Sequence, residues 1–412
     1  MRKVSYKFPA YLLILMNFVG FTLLSAANNW QLNIAYVGIG FLGLFLLTYS
    51  VLVICNMGDK FLVLIAFMLM TMGVIMICRI NIVLGARQIV WIGAGAIVFF
   101  VTYCIFYNIR FWNRLWFLYA LGGVALFLLT LVFGETVNGS KNWIDIGIIS
   151  FQPAEITKIF YIMFLACKYS GSFNKHIFKV SPMLMTGAVT YLYILFLVLQ
   201  RDWGTIMVVF LIYIFMIYVY EEDRRFLWLN VLAAAVVAIL GYFFLYHIQV
   251  RVSVWLNPWN DVPNKGYQIA QSLFAIASGG YFGRGLGNGT PAYIPEVHTD
   301  FIFSAICEEM GVFGGAAIII LYFLFAYRCF KITLNTQNLY NKAVGLGLTL
   351  MFSIQTFIII GGVIKFIPLT GITLPFVSYG GTSIIVSFAS LGIMQAISAL
   401  EARKGGATYD DE

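Results

Sequence analysis

Charge is what this sequence has least of: Asp, Glu, Lys and Arg make up 10% of its 412 residues, against 61% that are apolar. So small a polar fraction cannot coat a water-soluble particle of this length, which excludes a soluble globular protein. Histidine (three residues) and cysteine (six) are scarce as well. Cys55, Cys78, Cys104, Cys167, Cys307 and Cys329 stand singly in or at the ends of apolar runs, without metal-ligand spacing or evident pairing. They read as packing residues. A block of cations is missing too. The net charge of +8 is spread over short connections between apolar runs, which points to topology and lipid headgroups and away from nucleic acid. There is no clear repeat, and the one low-complexity stretch is the short polar tail Lys404–Glu412.

What the chain does have is long apolar runs. Inside lipid every backbone amide needs an internal partner, so the choice lies between helices and a closed barrel. The runs last about the 20 residues that a spanning helix needs and show no period-two alternation, so they predict helices. Twelve segments qualify: Ala10–Ala26, Leu32–Ile54, Phe61–Cys78, Gln88–Phe106, Leu115–Phe133, Ala154–Lys168, Ser181–Leu199, Trp203–Tyr220, Phe226–Tyr246, Phe301–Phe325, Val344–Gly361 and Ser383–Leu400. The expected fold is therefore all-α and polytopic, with both termini on one side. Ala154–Lys168 is short for a span, and the break at Gln200–Trp203 is compatible with a kink inside one irregular pair.

With the N-terminus inside, sixteen of the twenty-five Lys and Arg fall on the cytoplasmic side, among them Arg2, Lys3, Lys175 and Lys179. Eight fall outside and Lys158 lies within a span, so the positive-inside bias places both termini in the cytoplasm. The first segment follows a basic stretch but lacks a small-residue cleavage site, and reads as an uncleaved span.

Most connections are short, so the polar segment His247–Asp300 stands out as a long outer loop where function is expected. It ends in Pro295-Glu296-Val297-His298-Thr299-Asp300 and opens directly into a span. Asp300 is thus an acid at a helix N-terminus, functional or a plain cap. Helical periodicity sets Asp300, Ser304 and Glu308 on one face and Glu309 on the opposite side. A carboxylate two turns into a span needs a partner or a polar cavity. A second polar cluster comprises Lys141-Asn142-Trp143 and Gln152-Pro153-Ala154-Glu155 with Lys158; Glu155 and Lys158, at i and i+3, share a face. The same outer level holds Gln200-Arg201-Asp202-Trp203-Gly204-Thr205. A third element, Ile364–Gly371 continuing to Leu374–Ser383, breaks the helix with two prolines and several glycines. Irregular backbone at membrane depth must be buried in protein or line a cavity. Such convergence suits a cavity for a charged lipid headgroup, although a transport pathway would present much the same.

Taken together, Gln152-Pro153-Ala154-Glu155 with Lys158, Asp202-Trp203-Gly204-Thr205, Gly266-Tyr267-Gln268, Pro295–Phe303 with Glu308-Glu309, and Pro375-Phe376-Val377-Ser378-Tyr379-Gly380-Gly381 resemble the SEDS family (shape, elongation, division and sporulation). The five motifs stand in the family's order and cover roughly Phe61 to the C-terminus. The resemblance implies a peptidoglycan glycosyltransferase that polymerises lipid II into an undecaprenyl-linked glycan on the outer face of the bacterial cytoplasmic membrane. It also implies a class B penicillin-binding protein as partner, alongside other membrane proteins of the elongasome or divisome, and no organic cofactor. By similarity Asp300 is the catalytic residue and Glu155 and Lys158 a functionally important pair, while Asp202 matches the family's Pro-Asp turn. A divalent cation, Mg or Mn, is a further family expectation.

The chain departs from the family pattern in carrying an additional N-terminal pair, residues 1–57, ahead of a ten-helix core at 58–403. Alanine also stands at Ala154 for the usual serine, and Arg201 for the usual proline. Joining a sugar C4 hydroxyl to the anomeric carbon of a lipid-pyrophosphate donor requires a base and positive charge on the departing pyrophosphate. Asp300 is the expected base; Lys158, Arg201, Arg251, Lys265 and Arg284 are the candidate cations. The substrate-binding candidates are Lys141, Trp143, Gln152, Arg201, Asp202, Lys265, Arg284, His298, Thr299, Ser378 and Tyr379. A lipid-precursor transporter or flippase and a noncatalytic scaffold are the competing readings.

Overall fold

The computed structural model describes residues 6–137, 139–147, 150–172 and 181–405. The tail beyond Gly405 and the basic residues Arg2, Lys3, Lys175 and Lys179 lie outside the described residues. Eleven helices are long and apolar enough to cross a membrane among them: α1 (Lys7–Ala27), α2 (Leu32–Ile54), α3 (Lys60–Ile80), α4 (Ile82–Asn108), α5 (Trp116–Phe133), α7 (Pro182–Gln200), α8 (Trp203–Tyr220), α9 (Arg224–Phe244), α12 (Ile302–Asn335), α13 (Leu339–Val363) and α14 (Gly381–Gly405). The remaining expected span is α6 (Pro153–Tyr169), of 17 residues. At 1.5 Å per residue it is about 25 Å long, short of the roughly 30 Å hydrocarbon layer. It is buried along almost its whole length, so it meets other helices rather than lipid and has no bilayer thickness to match.

The all-α expectation has one exception. Between α5 and α6 the chain forms a small antiparallel sheet of β1 (Glu135–Val137), β2 (Ser140–Asp145) and β3 (Ser150–Phe151) in the order β1-β2-β3. The break at Gln200–Trp203 is a true reversal. Arg201 sits in the left-handed region (φ 59°), Ser181 caps α7 and Asp202 caps α8 through the Thr205 amide. A proline, fixed near φ −65°, could not take the Arg201 conformation, so the departure from the family's usual proline is a backbone difference as well as a side-chain one. The long 247–300 loop is largely helical, with α10 (Tyr246–Leu256) and α11 (Tyr267–Gly279).

α3, α6, α13 and α14 form the buried centre of the bundle. The pair α1 and α2 packs on α3 and α4, and the Phe41 and Phe45 rings lie 5.9 Å and 5.3 Å from that of Phe67. Outward faces carry large exposed apolar residues such as Phe8, Phe18, Trp228, Phe243 and Phe323, as lipid contact requires. Among the cysteines Cys78, Cys167, Cys307 and Cys329 are buried, while Cys55 and Cys104 are exposed and do not pack in the core.

The expectation that Glu309 points away from Glu308 is not met. Glu308 accepts from the Thr290 amide (2.9 Å) and lies 3.5 Å from Arg284. Glu309 accepts from the Gly287 amide (3.0 Å) and pairs with Arg79 (3.0 Å). Both carboxylates hold the same loop because it wraps over the helix, and adjacent helical positions, about 100° apart, both reach it. Gly311, at φ 70° and ψ −172°, interrupts α12 just beyond the pair, a conformation open to glycine.

Candidate active site

Three irregular segments meet on the membrane face that carries Asp300: the 201–203 turn, the 295–301 approach to α12, and the 364–380 connection before α14. Each contains a non-glycine residue with positive φ, respectively Arg201 (59°), Glu296 (53°) and Phe376 (66°). Such conformations persist only where surrounding contacts over-determine them. Phe376 shows how: its ring is buried against Phe352, 5.5 Å away and nearly parallel, and against Phe325 at 5.6 Å. This anchors the 375–380 turn in the core.

The turn then holds the approach to α12. The Ser378 hydroxyl donates to the Thr299 carbonyl (2.5 Å), the Tyr379 amide donates to the His298 carbonyl (2.9 Å), and the His298 and Tyr379 rings lie 5.7 Å apart. Gln88 of α4, buried, braces the turn from behind by donating to the Ser378 carbonyl (3.3 Å). Asp300 sits two residues ahead of Ile302, and Phe301 occupies the N-cap position, so Asp300 is not the helix cap that was one of its two expected roles. Its carboxylate lies against Gly371 of the connection.

A second chain of contacts closes on the same point. The Gln152 amide donates to the Thr382 hydroxyl (3.2 Å), and the Gln152 side chain donates to Asp202 (3.3 Å). Asp202 is buried and also accepts from the Thr205 hydroxyl (2.9 Å). Arg251 of α10 donates to the Leu369 carbonyl (2.7 Å) and is attracted by both Asp300 and Asp202. Burial pulls the Arg251 guanidinium below its usual pKa, and those two carboxylates oppose the fall. His247, one turn earlier on α10, lies 5.0 Å from the Trp203 ring. Burial, then Arg201 and Arg251, hold its pKa down, so it is a neutral imidazole beside two guanidinium groups.

Asp300 itself is pushed up to about 6, chiefly by burial; Glu296 adds to the rise, while the Thr299 hydroxyl and Arg251 counter it. A carboxyl of that pKa is mostly ionised near neutral pH yet basic enough to accept a proton, the poise a general base needs. Because only the ionised form can act as base, kcat/KM for the reaction served by Asp300 is expected to be flat above pH 7. It falls about tenfold per pH unit below pH 6. A pH profile lacking that limb would exclude Asp300 as the base.

Glu155 and Lys158 form a buried ion pair of 2.7 Å on α6, with the Lys158 side chain 1% exposed. Lys158 is therefore committed to Glu155 and is not a free cation. The other candidate cations sort in the same way. Lys265 is exposed and donates to the Tyr246 hydroxyl (2.8 Å), and Arg284 pairs with Glu308 in the loop over α12; both are spent away from Asp300. Lys141 donates to the Leu131 carbonyl (2.6 Å) at the end of α5, and Trp143 is half-buried opposite Glu135 in the small sheet. Their strand meets the site through Ser140, which donates to the Arg201 carbonyl (3.1 Å). Arg201 and Arg251 are what remain near the acids. Arg251 was one cation among five in the sequence, and His247 and Gln88 carried no signal at all, since none sits in a recognisable motif.

One glycine sets the position of the whole turn. A Cβ on Gly73 of α3 would lie 2.3 Å from the Val377 carbonyl oxygen and 2.8 Å from its Cα, and backbone cannot yield as a flexible side chain would. Gly73→Ala is expected to cost about 1–3 kcal/mol of stability by overpacking. By displacing Ser378 and Tyr379 from the Thr299 segment it should also lower activity by up to about 10²-fold. A thermal melt and an activity assay check both; wild-type activity in this variant would uncouple the turn from the chemistry.

Among the described residues no group of three or more His, Cys, Asp or Glu side chains gathers as a metal site. Asp202 alone suits only a hard cation that draws most of its ligands from phosphate and water.

Residues 59–403 match the cell cycle protein family of FtsW, RodA and SpoVE. The chain belongs to that family. This is the SEDS family that the motifs resemble, and α1 with α2 lies ahead of the matched region. Stage V sporulation protein E of Bacillus subtilis is 35% identical over 360 residues, covering 82% of this chain and 96% of its own length. Peptidoglycan glycosyltransferase RodA of Mycobacterium tuberculosis is 32% identical over 372 residues, covering 82% and 78%. Among solved structures, a chain from a peptidoglycan synthase complex that coordinates polymerization and crosslinking superposes with a TM-score of 0.72 at 26% identity, covering 84% of this chain and 98% of its own.

Proposed function

We propose that this SEDS protein is a peptidoglycan glycosyltransferase that polymerises lipid II on the outer face of the bacterial cytoplasmic membrane. The single observation that carries the mechanism is the Asp300 carboxyl, poised near pH 6 beside Arg251 at the mouth of α12. Asp300 takes the proton from the C4 hydroxyl of the acceptor sugar. The hydroxyl oxygen bonds to the anomeric carbon of the lipid-linked donor, and the bond from that carbon to the pyrophosphate oxygen breaks. Undecaprenyl pyrophosphate leaves with the electron pair. Arg251 and Arg201 supply the positive charge that the leaving group needs, and His298, Thr299, Ser378 and Tyr379 fix the position of the base. A divalent cation bound with the substrate would add charge neutralisation on the pyrophosphate, with Asp202 as the carboxylate to hold it.

The structural likeness to a synthase complex supports a crosslinking partner, a class B penicillin-binding protein, and the basic-residue bias supports cytoplasmic termini. The test is glycan polymerisation from purified lipid II by the purified protein, alone and with its partner. Polymer from the wild type supports the reading. A protein that moves lipid II across vesicles and forms no polymer would be a transporter. Orientation is checked with a cysteine at His298 and a membrane-impermeant thiol reagent, on a background lacking the exposed Cys55 and Cys104; labelling in intact cells is expected. Labelling only after lysis would invert the topology and remove Asp300 from the outer face.

A further inference from the structure

On the face opposite Asp300 a cavity of about 560 Å³ opens between the ends of α4, α6, α13 and α14. The direction of the helices sets its level: α4 leaves the site at Gln88, α6 leaves it at Gln152, and both reach this cavity only at their far ends, through Phe106, Tyr107 and Ser170. None of its lining residues among those described is Asp or Glu, and they include Arg110, Trp112, Asn113, Asn338 and Asn341.

This is a lining rich in unused donors. Arg110 is exposed and its guanidinium has no ion pair or hydrogen bond among the described residues. The Trp112 indole Nε1 is buried and lacks an acceptor, although the ring is fixed by stacking on Phe106 at 5.7 Å and the residue's carbonyl accepts from the Tyr119 hydroxyl (3.1 Å). Asn338 uses its oxygen to cap α13 through the Asn341 amide (3.0 Å), which leaves its NH2 group as a donor. A buried donor without an acceptor is uncommon in a finished fold; the Trp112 Nε1 is one, and the solvent-facing donors of Arg110 and Asn338 beside it suit a ligand with several acceptor oxygens reaching in from the open side. A guanidinium beside them favours an anion whose oxygens match its fork, and phosphate does. Tryptophan, tyrosine and arginine at the end of a helical bundle also mark the level of lipid phosphates.

We propose that this cavity binds a phosphate-bearing anion through Arg110, Trp112 and the amide donors of Asn113, Asn338 and Asn341. An anionic phospholipid headgroup and a soluble phosphate share this chemistry, and the cavity has room for more than a bare ion. The site is separate from the one that holds Asp300 and stands whether or not the chain polymerises glycan.

The test titrates the full-length detergent-solubilised protein with phosphatidylglycerol, with diacylglycerol and with inorganic phosphate, each read by native mass spectrometry. Wild type is compared with Arg110→Gln and Asn113→Leu, whose unliganded melting temperatures are measured alongside. The expected result is saturable binding of one phosphatidylglycerol or phosphate per chain, weakened at least tenfold in Arg110→Gln and weakened in Asn113→Leu, with no comparable binding of diacylglycerol. Binding of phosphatidylglycerol alone assigns the lipid headgroup; binding of inorganic phosphate as well assigns a soluble phosphate. Absence of a saturable component in the wild type, binding undiminished in both variants, or diacylglycerol bound as tightly as phosphatidylglycerol overturns the proposal.

Discussion

Asp300→Asn is expected to lower the rate of glycan polymerisation by about 10²–10⁴-fold, the range that a positioned general base contributes. Asparagine keeps the shape of the side chain and its contacts with the Thr299–Gly371 surroundings but cannot accept a proton. The fold should not suffer. The folded-state pKa of Asp300 is raised from 3.8 to about 6, so the native state binds the proton more tightly than the unfolded chain. Its contribution to stability therefore declines as the pH rises through that window. At pH 7 the ionised carboxylate opposes folding, and asparagine removes that cost. The decisive comparison is thus between rate and melting temperature: a variant that polymerises lipid II normally refutes the mechanism, whereas a variant that merely unfolds refutes the account of Asp300 burial.

The second large effect belongs to the pair on α6. Lys158→Met leaves Glu155, itself buried, without its partner, and breaking a buried ion pair from one side costs about 3–5 kcal/mol. Glu155→Gln strands the ammonium in the same way. The double variant Glu155→Gln/Lys158→Met removes both charges and is expected to recover most of the lost stability, because no uncompensated charge remains. A double-mutant cycle on thermal or denaturant unfolding in detergent measures the coupling. Additive losses would show that the 2.7 Å contact contributes nothing as a pair. Activity separates structure from chemistry: if the double variant is stable but inactive, the charges serve the site beyond holding α6 together.

Reading the chain from its residues worked best where lipid imposes a single solution. Backbone amides cannot be left unpaired in hydrocarbon, so each long apolar run was bound to be a helix, and all twelve expected segments are helical. The short segment was legible as a helix but not as the buried one at the centre, since burial of α6 depends on what surrounds it. The small sheet did not stand out because β1 and β3, of three and two residues, are too short to show a pattern. The Glu308 and Glu309 arrangement was missed because helical periodicity says where side chains leave a cylinder and is silent on a loop folded over it.

Composition and motif order alone determined that this is a membrane-spanning helical protein with the five SEDS motifs, and they singled out Asp300, Glu155 and Lys158. The tertiary structure decided which of the other charges are free to act: it committed Arg284 to Glu308 and Lys141 to the end of α5, and left Arg251 and Arg201 beside the acids. The reason is one of range. Apolar patterning and an i,i+3 pair are local properties, whereas contacts such as Arg79–Glu309 and Arg251–Leu369 join segments more than a hundred residues apart, and no local pattern encodes them.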